Sequence, residues 1–143
     1  MTDTVRERIL KALSARTGAS RLVEQYDVRD LPITVLVAGE DSATETPYGM
    51  TAATMPVTIA RAIALSGDKG DAWHDEAEYA LGDLIQQIYA GDDDTLGGLC
   101  QGLDYAGGAV EILQDGAQGA AVQASITVRF QFRHGNPFEL TEG

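Results

Sequence analysis

The last third of the chain carries its most regular hydrophobic pattern, an alternation of apolar and polar residues from Ala121 to His134. The apolar positions of this alternation are Val122, Ala124, Ile126, Val128, Phe130 and Phe132. The positions between them are polar, and Arg129 and Arg133 are the charged ones. Because side chains on a strand point alternately to opposite faces, the pattern predicts one long strand with a buried face and a polar face.

Three shorter segments alternate in the same way and are predicted as strands, at residues 31–39, 51–66 and 103–113. In the second segment Arg61 interrupts the apolar face. Pro56 in the same segment predicts an edge position or a bulge, because proline has no N–H for strand pairing. The third segment slips in phase at Gly107, which also predicts a bulge. The polar stretch from Glu40 to Gly49 is predicted as a loop too long for a tight hairpin.

Two rows of side chains on these predicted strands are notable for their composition. Three β-branched apolar residues share one face of segment 31–39, namely Ile33, Val35 and Val37. Three small residues lie opposite the apolar face of segment 51–66, namely Ala60, Ala62 and Ala64. A row of small side chains lets another surface approach a sheet closely.

Two segments have the spacing of amphipathic helices. The first begins at Thr4, whose spacing from Glu7 predicts a capping box, and runs to about Arg16, with Gly18 as a C-terminal cap. The second runs from residue 71 to about residue 90, and it has acidic residues in its first turn. The glycine and three aspartates that follow it predict a turn that ends the helix.

The predicted order of elements is helix, hairpin, helix, hairpin. Strands joined by turns pair antiparallel, and two amphipathic helices are enough to cover one side of a sheet. The sequence therefore predicts an α+β fold, a two-layer sandwich of a mainly antiparallel sheet with two helices on one face. We expect one domain over residues 1–143, in which residues 136–143 form a short C-terminal tail.

The net charge of −12 is distributed unevenly along the chain. Residues 1–29 hold six basic against four acidic side chains, whereas residues 30–128 hold two against sixteen. This balance disfavours direct binding of duplex DNA, which requires a basic surface. The acidic excess serves solubility, or the opposite charges of the two regions favour head-to-tail contacts between copies or with a partner.

The residue types that carry chemistry are few and scattered. His74, His134 and the single cysteine, Cys100, do not have the spacing of a zinc site. The three aspartates at 92–94 lack the alternation and closing glutamate of a calcium loop, and the glycines at 97–102 lack a following Gly-Lys-Ser/Thr. We therefore expect no catalytic residue, cofactor or metal, and no enzyme activity. A single cysteine and the absence of a signal core or bilayer-spanning run favour the cytoplasm.

Candidate interface residues are more plausible than catalytic ones. Arg129 and Arg133 on the polar face of the last strand are ordinary solvated side chains or meet the acidic middle of a neighbouring copy. Phe138 and Leu140 in the tail fold back onto their own domain or dock on another subunit. The predicted loop offers four further residues for contact with a partner or a neighbour, namely Glu40, Asp41, Glu45 and Tyr48.

Several local patterns, in this order, resemble the tail terminators of tailed bacteriophages, a family of minor tail proteins typified by the terminator of phage lambda. They are the opening helix at 5–13, the segment at 31–37, the long strand entering a helix at 71–73, the segment at 102–105 and the closing strand to Phe132. Together these patterns span nearly the whole chain.

The resemblance implies a small structural protein without catalytic residues that assembles into a ring of six copies. The ring would cap the finished tail tube, end its polymerisation and present the surface that joins the tail to the head. The implied partners are the chain itself, the tail-tube protein and a head-completion or connector protein, with assembly in the host cytoplasm of a phage or prophage. Another phage neck or connector protein, an acidic interaction module and, less favoured, a small enzyme are the alternatives.

Overall fold

The described part of the chain forms two helices and five strands, and the alternating and helical patterns predict both helices and four of these strands. The computed structural model describes residues 3–21, 32–45, 49–65, 71–113 and 119–140. In chain order the elements are α1 (Val5–Thr17), β1 (Ile33–Ala38), β2 (Ser42–Glu45), β3 (Met50–Ala64), α2 (Asp71–Tyr89), β4 (Gly102–Leu113) and β5 (Gly119–Arg133). This confirms the α+β class.

The five strands form one antiparallel sheet in the order β1-β3-β5-β4, with β2 also pairing with β3. β3 and β5 are paired along their whole length, from Met50 opposite Arg133 to Ala64 opposite Gly119. The predicted bulge in β4 lies between Tyr105 and Gly107. The two predicted hairpins are therefore joined side by side through their second strands.

The predicted loop at 40–49 is wrong over Ser42–Glu45, because these residues form β2. β1 and β2 run along the same edge of β3, with Ala38 opposite Val57 and Ser42 opposite Thr54. Three residues of one strand therefore face two of the other, which is a bulge. Pro56 lies at this point and offers no N–H, while its carbonyl oxygen accepts a 2.7 Å hydrogen bond from the Gly39 amide.

One face of the sheet, which we call the helix face, packs against α1 and α2. The apolar row predicted for β5 lies on it, with Phe130 at 1% exposure and Val122 at 0%. The matching row of β3 is also buried, from Ala53 through Met55 and Val57 to Ile59. Together with the apolar side chains of α1 and α2 these rows form a single core.

The apolar row predicted for β1 lies on the opposite side of the sheet from the core. Register explains this arrangement, because Leu36 pairs with the buried residue Ile59 and must share its face. Leu36 is therefore 2% exposed, whereas Val37 is 53% exposed. The second side of the sheet thus carries Ile33, Val35 and Val37 beside the small and polar rows of β3 and β5.

The ends of α1 follow the predicted signals only in part. Thr4 is the N-cap and its side chain accepts a 3.0 Å hydrogen bond from the Glu7 amide, while Gly18 ends the helix in a left-handed conformation. The carboxylate of Glu7 does not complete the capping box. It pairs instead with Arg21, at 2.6 Å from its Oε2 atom.

Candidate functional site

Arg129 and Arg133 lie on the second side of the sheet, facing away from the helices. Both side chains are exposed, at 48% and 64%. The Nε atom of Arg129 donates a 2.7 Å hydrogen bond to Asp104 on the neighbouring strand, and this contact raises the pKa of the guanidinium. Arg133 lies 3.3 Å from Glu139 in the tail. Each predicted interface arginine therefore has an acidic partner in its own chain.

A glycine makes room for the Arg129 side chain. Gly102 lies directly opposite Arg129 in the register of β4 and β5. A Cβ atom at Gly102 would overlap the Nη2 atom of Arg129. The guanidinium therefore lies flat across β4, in a position that lets it reach Asp104.

The C-terminal tail folds back onto α1. The carbonyl oxygen of Pro137 accepts a 2.8 Å hydrogen bond from the Val5 amide, and that of Phe138 accepts one of 2.6 Å from Arg8. Leu140 packs against the core, whereas the Phe138 ring is 47% exposed. Of Phe138 and Leu140, Phe138 is therefore the one whose side chain is available to a partner.

The other predicted contact residues lie near β2. Glu40 and Asp41 precede β2, and Asp41 forms a 3.0 Å ion pair with Arg6 of α1. Glu45 ends β2, while Tyr48 lies outside the described residues. Register places this edge close to the arginines, because Ser42 pairs with Thr54 and Thr54 pairs with Arg129. The described members of the predicted set are therefore gathered at one end of the sheet.

Sequence reasoning missed the role of Arg61, whose side chain is 11% exposed. It donates to the Thr34 hydroxyl at 2.8 Å, the Thr17 carbonyl at 2.9 Å and the Gln87 side-chain oxygen at 2.7 Å. Asp83 lies 3.7 Å from its Nη1 atom, and burial lowers the pKa of the guanidinium. Arg61 forms the floor of a cleft of about 750 Å³ between α1 and α2. With all these partners it joins three elements, which is a structural role.

The turn after α2 is built around Asp93. Its carboxylate accepts hydrogen bonds from the Thr95 amide and hydroxyl, from the Gly97 amide and from Arg16. The hydrogen bonds from Thr95 are the largest cause that lowers the pKa of Asp93. Arg16 also donates to the Ile88 carbonyl, so this network fastens the end of α2 to α1. The aspartate run is thus a structured turn.

Cys100 lies in the same region and is 6% exposed. Burial raises the pKa of its thiol to about 11, and its Sγ atom contacts the Asp94 carbonyl oxygen at 3.7 Å. A thiol in this environment stays protonated and packs as a small apolar group. Within the described ranges no three histidine, cysteine or acidic side chains are grouped to hold a metal ion.

In the described part of the chain both helices pack on the other side of the sheet, so neither helix covers this second side. We call it the outer face and define it by alternate residues of four strands: Ile33, Val35 and Val37 of β1; Thr54, Pro56, Thr58 and Ala60 of β3; Gln123, Ser125, Thr127 and Arg129 of β5; and Asp104, Ala109 and Glu111 of β4. Exposed members such as Pro56 and Gln123 alternate with buried members of the helix face. The small-residue row at Ala60 was the sequence signal for this surface.

Neither helix of the described part is both long and apolar enough to cross a bilayer. No family model and no curated protein matches the chain. Among solved structures, the chain is similar to one from the virion of a native gene transfer agent particle, with a TM-score of 0.39 and 13% sequence identity over 90% of this chain and 92% of that chain.

Proposed function

We propose that this protein is a structural component of a phage-like virion that forms a ring on the end of the tail tube. The ring ends polymerisation of the tube and offers the surface to which the head is joined. The resemblance of its sequence to the tail terminators is the starting point. The observed α+β architecture, with its elements in the predicted order, agrees with the small α+β protein that this resemblance implies.

The outer face is the observation that carries the proposal. A closed ring needs two unlike surfaces on each copy, because every subunit meets the next in a head-to-tail manner. The sheet has helices on one side and, on the other, an outer face that neither described helix covers, so the two sides of the sheet differ in shape and chemistry. Such a molecule supports cyclic assembly without any catalytic group.

Arg129 and Arg133 are proposed contacts of this ring. Both are more than 45% exposed, and their intramolecular pairs with Asp104 and Glu139 are also exposed. Exposed pairs of this kind contribute little to stability, so the arginines exchange these partners for acidic groups of a neighbour at little cost. Phe138, half exposed beside them in the tail, is a proposed contact of the tube or the head-joining protein.

The function is tested by the length of tail tubes. Purified protein is added to tail-tube protein that is polymerising, and the tubes are measured by negative-stain electron microscopy. We expect a ring of density at one end and an arrest of growth. The corresponding deletion in a phage or prophage should give overlong, headless tubes. Tubes of normal length in that deletion would refute the proposal.

Charge reversal tests the proposed contacts within this function. Arg129→Glu and Arg133→Glu should each weaken ring formation, as measured by native mass spectrometry. Lys11→Glu is the matched control, because Lys11 is an exposed cation on α1 whose partner, Asp3, is also exposed. A ring of unchanged mass and stability in both arginine variants would exclude them from the interface.

A further inference from the structure

We draw no further inference here: the strongest candidate, the cavity that Asp75, Glu76 and Tyr79 of α2 form with Pro32 and Ala64, carries none, because Pro32 and Ala64 adjoin in sequence residues 22–31 and 66–70, which lie outside the described residues, and nothing in the structure shows what covers the cavity.

Discussion

The guanidinium group of Arg61 donates a 2.9 Å hydrogen bond to the carbonyl oxygen of Thr17, the last residue of α1. A cation at this position satisfies one of the carbonyl groups that a helix leaves unpaired at its C-terminal end and interacts favourably with the helix dipole. The same side chain reaches Gln87 of α2. One arginine on β3 thus holds both helices in place over the sheet.

Replacing Arg61 should destabilise the fold. Arg61→Met keeps the length of the side chain but leaves Thr17, Gln87 and Asp83 without their common donor. We expect a loss of about 3 kcal/mol in the free energy of unfolding, measured by urea titration. Arg21→Met removes an exposed arginine that pairs with Glu7 and should cost less than about 1 kcal/mol. Equal losses in the two variants would contradict the structural role of Arg61.

The Cys100 thiol should react slowly with thiol reagents. Burial raises the pKa of this thiol to about 11, so the thiol is protonated at pH 8. The residue is also only 6% exposed, which limits access of the reagent. Labelling by a disulfide reagent should follow unfolding of the region, and should become fast in denaturant. Rapid labelling of the native protein at pH 8 would contradict the burial of this side chain.

The same pKa shift predicts a pH dependence of stability. In the unfolded chain a cysteine titrates near 8.5, so the unfolded state loses its proton first as the pH rises. The folded state then binds more protons, and stability falls from about pH 9 towards the folded pKa of about 11. Cys100→Ala should therefore lose less stability than the wild type between pH 8 and pH 10. If the urea midpoints of both proteins changed equally between pH 8 and pH 10, this expectation would be contradicted.

The two apolar tail residues should behave differently when they are truncated. Leu140 packs against the core, so Leu140→Ala should lower the free energy of unfolding by about 1–2 kcal/mol. Phe138 is 47% exposed, so Phe138→Ala should change stability by less than about 1 kcal/mol. Melting temperatures of the two variants provide the measurement. A more damaging effect of Phe138→Ala would mean that its ring is packed within the chain.

The bulge between β1 and β2 should depend on the pair Gly39 and Pro56. A Cβ atom at Gly39 would lie 2.7 Å from the Pro56 Cγ atom, which belongs to a rigid ring. Gly39→Ala should therefore cost about 1–3 kcal/mol, as is usual for an overpacked site. In a Pro56→Ala background the same change should cost less, and a double-mutant cycle measures the difference. Additive costs would show that the two residues do not interact.

The fold was predictable from the sequence wherever the residues of one helix or strand alone carry the signal for it. The alternation at 121–134 and the helical spacing after Thr4 and Asp71 are local signals, and the elements they predict lie within two residues of the observed ones. The face that β1 turns to the core is set instead by its register with β3, in which Leu36 pairs with Ile59. The row of apolar residues in β1 therefore does not indicate which face is buried. β2 carries no apolar row of its own and could not be recognised.

For the candidate site, the sequence predicted only which side chains are exposed. The polar side of β5 indicated that Arg129 and Arg133 face solvent. Their partners are not evident from the sequence, since Asp104 is positioned by strand register and Glu139 by the return of the tail. The network of Arg61 joins residues from α1, β1 and α2, which are far apart in the sequence. From the sequence alone, Arg61 was therefore recognised only as an interruption of an apolar face.

The pairing of β3 with β5 also determines how the chain can fold. This central ladder joins residues from opposite halves of the sequence, so no part of it can form until most of the chain has been synthesised. Long-range pairing of this kind makes folding slow and leaves strand edges exposed meanwhile. The rate at which a newly made chain reaches its folded state is therefore limited by closure of this one ladder.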